Sequence, residues 1–421
     1  MYCARHHADR VISCRMNPSI STLSRRGARL ADQSPMPEYI LEHFARVEQD
    51  DYVPLCIAEN KLMSDLVLAQ LETAAPAPAS VLDYDAMVGA AGFREQLSRF
   101  MERTFLGREF PPEQIAVLGG AGSVLEDMFY ALADPGDAVL VPTPSYAGFW
   151  ADLEMRNELQ IVPVDCASAD GFQLTPDRLS AALAASEHRV RALLFTNPDN
   201  PLGKVATSTE IEAVLRWAAG HDLHVVFDEI YALSVFGETP FTSVASLRDS
   251  LGDRVHIVWA FSKDFGASGL RCGVLISENA QLLDAVNGLA YWGAVSGHTQ
   301  WLLGQMITDE AFVVSYCEAL RSRLGVRYRE VTTALVTAGI TYIEAGAAIF
   351  LLCDLREFLE EPTWAAEAGL WRRLLEDTNV NITPGAACRI AEPGFFRLCY
   401  AAGPREAVLA GVARLGEALG R

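Results

Sequence analysis

Between residues 95 and 310 the chain alternates short runs of continuous apolar residues with helix-period segments, and this alternation restricts the fold most tightly. The runs lie at 115–118, 138–141, 159–164, 191–195, 224–227, 255–259 and 272–276. A strand with one face in water alternates polar and apolar side chains, whereas a strand covered on both faces reads as unbroken Val, Ile and Leu. Helices between such strands supply the crossovers that parallel pairing needs. The expected fold is α/β: a large domain over residues 76–310 with a mostly parallel sheet covered by helices. Beyond 310 come a long helix (312–338), strands at 340–343, 347–354 and 395–401, and helices at 364–378 and 407–419. They predict a smaller α+β domain over 311–421, with residues 36–75 packing beside it.

The 421 residues are 50% hydrophobic, enough for two cores. Acids outnumber bases 54 to 34, and the net charge of −20 speaks against a nucleic-acid or anionic-membrane partner. Any phosphate must therefore be met by donors placed locally. No apolar run approaches the roughly 20 residues that span a bilayer. Nine scattered cysteines without a Cys-x-x-Cys pair read as reduced thiols, so a cytoplasmic location is expected. His221 and His224 have no cysteine partners and read as surface histidines, not a metal site. Residues 1–31 carry six arginines against one acid, Asp9, and 1–35 are expected to be a disordered leader, with an organellar transit peptide or an early start before Met16 as the alternatives.

Open α/β sheets place ligands beyond the carboxyl ends of their strands, and the chemistry-bearing residues of this chain stand there. Gly119-Gly120-Ala121-Gly122-Ser123 is a strand-to-helix turn whose free N–H groups and hydroxyl make an anion site. Alone it is weak, since many such turns contain glycine. Tyr146 ends the next run, able to stack on a flat heterocycle, though a lone tyrosine reads equally as core. Asn197-Pro198-Asp199-Asn200-Pro201 is a rigid turn that aims Asn200. Asp228 ends another strand, with Tyr231 three residues on. Ser262-Lys263 ends the next, and Arg271 stands eight residues beyond the lysine.

An unpaired ammonium at the end of a buried strand is costly. The cost disappears if the amine is held as an imine, which is how pyridoxal phosphate (PLP) uses an enzyme lysine. The other residues then acquire roles. Ala121, Gly122, Ser123, Ser262 and Arg271 gather at the lysine and the phosphate. Tyr146 covers the ring, Asp228 keeps its nitrogen protonated, and Asn200 and Tyr231 hold its phenolic oxygen.

This ordered set resembles the fold-type I PLP enzymes of the class I/II aminotransferase family, over roughly residues 36–415. The resemblance implies a homodimer with active sites at the subunit interface. It also implies a carboxyl-terminal arginine on the substrate α-carboxylate. Arg397, in Glu392-Pro393-Gly394-Phe395-Phe396-Arg397, matches that position and suits bidentate binding. Within the family, Ile57-Ala58-Glu59-Asn60-Lys61-Leu62, Leu132-Ala133-Asp134-Pro135-Gly136-Asp137 and Thr196-Asn197-Pro198-Asp199-Asn200-Pro201-Leu202-Gly203 look most like 1-aminocyclopropane-1-carboxylate (ACC) synthases. That likeness implies S-adenosylmethionine (SAM) as substrate, with Lys263 removing the Cα proton and methylthioadenosine leaving from Cγ. Glu59 and Asn200 would meet the substrate, and Tyr84 would reach in from the partner subunit.

Three positions depart from the relatives. Ala260 stands where a phosphate-binding serine is usual, residues 83–89 are longer than the short tyrosine-histidine-glycine element, and His298 replaces a common glutamine. His298 reads as a general acid or base, or as a polar interface residue. The expected product is ACC, or a Cγ-substituted amino acid if a second small molecule captures a vinylglycine species. An ordinary amino-acid aminotransferase is the alternative enzyme. A non-catalytic PLP-binding regulator is the alternative from another class, disfavoured by the acidic charge and by a leader too short for a DNA-binding domain.

Overall fold

The computed structural model describes residues 22–32 and 36–420. Seven strands form the large sheet: β1 (Ile115–Leu118), β2 (Ala138–Thr143), β3 (Gln160–Asp165), β4 (Val190–Thr196), β5 (His224–Asp228), β6 (Val255–Ala260) and β7 (Gly273–Ser277). Their order is β1-β7-β6-β5-β4-β2-β3. Neighbours pair in parallel except where β7 runs antiparallel to β1 and β6. The apolar runs are explained by two cores, one on each face. Val225, Phe227, Ile257 and Trp259 pack into one, and Val226 and Val258 into the other, as the two-residue period of a strand requires. Edge strand β3 instead exposes Gln160, Pro163 and Asp165 and buries only Val164.

A second, antiparallel sheet holds β8 (Thr341–Ile343), β9 (Phe350–Asp354), β10 (Thr383–Pro384) and β11 (Phe395–Cys399) in the order β10-β11-β9-β8. Helices Glu310–Thr337, Trp364–Thr378 and Arg405–Ala418 accompany it. The stretch 53–61 is laced to this part by Val53 N–H to Asn379 O (3.0 Å), Cys399 N–H to Leu55 O (2.7 Å) and Lys61 N–H to Ala401 O (3.0 Å). Backbone pairing thus carries Glu59 to the mouth of the large sheet.

The structure differs from the sequence reading in three places. Part of the leader expected to be disordered, Arg25–Asp32, is a helix, and Arg29 donates to Met155 O (3.0 Å) and Glu158 (3.1 Å). Residues 1–21 and 33–35 of that leader, and with them the transit-peptide and Met16 readings, lie outside the described residues. The strand expected over 347–354 is shorter, because Ala348 turns the chain with φ 61° before Phe350. His224 is not a surface residue. It opens β5, is buried, and its Nδ1 lies 3.0 Å from Nε2 of His256 on β6, whose Nδ1 meets Ser277 Oγ at 2.8 Å. Burial pulls His224 down to about 4 and His256 to about 3, so both rings are neutral at pH 7. Among the described residues no helix is long and apolar enough to cross a membrane.

Candidate active site

A cavity of about 220 Å³ opens beyond the carboxyl ends of the central strands. Of the residues assigned to the cofactor from sequence, all but Ser123 line it. They are delivered by several different elements. Ala121 and Gly122 open the helix Ala121–Leu132, Asp228 ends β5, Lys263 sits in the short helix Phe261–Asp264 after β6, and Arg271 precedes β7.

The glycine-rich turn works through its backbone. Gly120 caps the helix with φ 100°, a left-handed angle, and a Cβ there would stand 2.5 Å from Arg271 Nη2. No side chain fits, so glycine is required twice over. The first helical bond of the turn is from Val124 N–H to Gly120 O (3.2 Å), which leaves the N–H groups of Ala121, Gly122 and Ser123 without a backbone acceptor. These three donors at a helix N-terminus suit a phosphate. The Ser123 hydroxyl, expected to join them, instead lies back on Gly119 O at 3.4 Å. Across the turn, Arg271 takes φ 51° and donates from Nη1 to Ser268 O (3.1 Å) and from Nη2 to Gly119 O (3.0 Å).

Lys263 Nζ donates to Ala58 O at 2.6 Å. Burial brings its ammonium down to about 8, helped by Arg397 and opposed by Cys399, Glu59 and Asp228. The lysine's turn is clamped from below. Asp264, fully buried, accepts from Trp259 Nε1 (2.9 Å), Leu233 N–H (3.1 Å) and Ser234 Oγ (2.7 Å), while Tyr316 Oη donates to Asp264 O (2.8 Å). Asn60 Nδ2 donates to Lys263 O at 3.3 Å. Asp264 is thus structural, which its place beside the lysine did not announce.

Asp228 is buried, and one carboxylate oxygen accepts from Ile230 N–H at 3.3 Å. Desolvation lifts its carboxyl to about 7, so an added positive charge in the cavity would be met by a carboxylate poised to ionise. Tyr146 lies along the cavity with its ring over Gly148, where any side chain would collide with it, and its edge against Phe149 (5.3 Å). Tyr231 is buried edge-on to Phe350 (5.3 Å). Ala260 is fully buried and is not a cavity wall.

Arg397 is 2% exposed, and among the described residues it has no carboxylate partner. Its donors go to Asn200 Oδ1 (3.2 Å), Cys56 O (2.8 Å) and Thr383 Oγ1 (3.1 Å), and Nε is left without an acceptor. A buried cation in that state is an anion site. Glu59 is not among the residues lining the cavity and is paired with Lys61 at 3.3 Å. Tyr84 is 94% exposed and stands away from its own chain's cavity. His298 opens the helix Gly297–Thr308, 6.1 Å from the Trp301 ring, and is not a wall of the cavity either.

Five residues of the cavity wall were not assigned to the site from sequence, the apolar Leu125, Phe149 and Ile230 and two polar ones. Asp152 lines the wall, its carboxyl raised to about 6 by burial and by Glu126. Ser268 lines it beside Arg271. Neither has a spacing or neighbour that marks it.

The profile of the aminotransferase class I and II family matches residues 50–415. The chain belongs to this family. Members depend on PLP, and the cavity fits that cofactor by its donors: free N–H groups and Arg271 at one side, a lysine amine, and a buried carboxylate. ACC synthase 4 of Oryza sativa subsp. japonica is 37% identical over 396 residues, covering 85% of this chain and 80% of its own. ACC synthase 3 of the same plant is 36% identical, covering 95% of both chains. Among solved structures, aspartate aminotransferase from Thermus thermophilus with maleate superposes at TM-score 0.81 with 23% identity, covering 95% of this chain and all of the other. That likeness establishes the α/β fold. The chain is a PLP-dependent, ACC synthase-like enzyme of the family.

Proposed function

We propose that this enzyme acts on SAM, removing the Cα proton and expelling methylthioadenosine from Cγ. The observation that carries the reading is the run of relatives named ACC synthases, 34–37% identical over 82–95% of this chain. Bound PLP supplies an electron sink that acidifies the substrate Cα–H. The chain's own residues do the rest. Arg397 binds the α-carboxylate, with Nε free for it. Lys263, lowered to about 8, takes the proton at Cα. Asp228 holds a proton at the ring nitrogen, and Asn200 and Tyr231 donate to the phenolic oxygen. The C–S electron pair departs with sulfur, so the cationic sulfonium leaves as a neutral thioether.

The remaining four-carbon skeleton leaves as ACC, or as a Cγ-substituted amino acid when a second small molecule is captured. Tyr84 is proposed to enter the cavity of a partner subunit in a homodimer, and Glu59 to line the substrate's path at the rim. A cytoplasmic location accords with this chemistry.

Purified holoenzyme incubated with SAM tests the proposal, with methylthioadenosine and ACC followed by mass spectrometry. Release of methylthioadenosine supports it, and ACC in equal amount assigns ring closure. Release without ACC assigns Cγ substitution or a vinylglycine product. No release, with or without a cell extract supplying a co-substrate, overturns the reading.

A further inference from the structure

We propose that the Ser268 hydroxyl anchors the cofactor's phosphate together with Arg271. The inference needs PLP but does not depend on SAM being the substrate.

A phosphate presents three strong acceptor oxygens, and a chain of net charge −20 must satisfy them with local donors. The side-chain donors near the glycine-rich turn are few. Ser123 Oγ is turned back onto Gly119 O (3.4 Å), and Ala260 offers none. Arg271, Ser262 and Ser268 all line the cavity. Ser268 is half-buried, and among the described residues its hydroxyl has no hydrogen-bond partner.

Its position is not independent of the guanidinium. Ser268 opens the single 3₁₀ turn Ser268–Leu270, which ends on Arg271 in the left-handed region at φ 51°. Ser268 O accepts from Arg271 Nη1 at 3.1 Å, while Nη2 reaches Gly119 O at 3.0 Å. The turn that lays Arg271 against the helix N-terminus therefore places Ser268 on the same wall. A neutral donor there adds a hydrogen bond to a charged acceptor, the stronger kind.

The test titrates the full chain, stripped of cofactor, with PLP and separately with pyridoxal, which keeps the ring and lacks the phosphate. Ser268→Ala is expected to raise the Kd for PLP about tenfold, the order expected for one hydrogen bond to a charged group, and to leave that for pyridoxal unchanged. Ser268→Thr, which keeps the hydroxyl, is expected to restore PLP binding. If the alanine variant does not fold by circular dichroism, Ser268→Cys takes its place with the same PLP-selective loss expected. A Kd for PLP within twofold of wild type overturns the proposal. Equal weakening of both ligands overturns it too, since the residue would then act on the loop and not on the phosphate.

Discussion

Arg397 Nη1 donates to Asn200 Oδ1 at 3.2 Å, joining β11 of the small sheet to the turn that follows β4 of the large one. The bond orients the Asn200 amide, because an oxygen committed to the arginine leaves the NH₂ group free for the cavity. Asn200→Asp is therefore expected to do two kinds of damage. It removes that donor, and it gives a buried guanidinium a carboxylate of its own. Substrate KM should rise at least about tenfold, as expected when a buried charge pair competes with the ligand. Steady-state kinetics with SAM check it.

Lys263 predicts its own pH dependence. Only the neutral amine attacks an aldehyde, and burial brings this amine to about 8. Uptake of PLP by the cofactor-free chain should accelerate about tenfold per pH unit below that value and level off above it. Stopped-flow absorbance measures the rate. Lys263→Ala should show no visible lysine-linked absorption at any pH, and a surviving band would mean that another lysine carries the cofactor.

Asp264 should be indispensable to folding and not to proton transfer. Asp264→Ala leaves the Trp259 indole N–H, the Ser234 hydroxyl and the Leu233 amide buried without their acceptor. A loss of about 3 kcal/mol or more is expected from such orphaned donors. Denaturant unfolding of the variant beside wild type gives the number.

The buried histidine pair predicts acid sensitivity. The folded values, about 4 for His224 and about 3 for His256, lie below the unfolded value of about 6.5. Between those limits the unfolded chain binds protons that the folded chain refuses, so this pair's contribution to stability falls as pH drops from about 6.5. His224→Gln removes one of the two titrations. Its deficit in Tm relative to wild type should shrink between pH 6.5 and 4.5, and a constant deficit would contradict the assignment.

These residues also mark what the sequence could and could not disclose. The sheet was legible because both its faces are dry, so Val225 to Phe227 and Ile257 to Trp259 had to be apolar without interruption. Nine of the ten residues assigned to the cofactor from sequence line one cavity because strand ends in an open sheet converge. Ser123 stands outside the cavity wall because a hydroxyl in a helix's first turn has a nearby carbonyl, here Gly119 O at 3.4 Å, to turn back on. Ser268 and Asp152 carry no signal at all: their place in the cavity wall comes from a 3₁₀ turn and a six-residue helix (Phe149–Glu154). In the sequence His224 reads as a surface residue because its partner His256 lies 32 positions away and meets it only once β5 and β6 pair.

In the proposed reaction Lys263 removes the Cα proton of SAM before methylthioadenosine leaves. SAM deuterated at Cα measures it directly, with label in solvent and methylthioadenosine read by mass spectrometry from the same sample. Wild-type holoenzyme should release both, and Lys263→Ala reconstituted with PLP should release neither. Methylthioadenosine formed with the deuterium still at Cα, or label lost at the wild-type rate from the variant, would rule Lys263 out as the base.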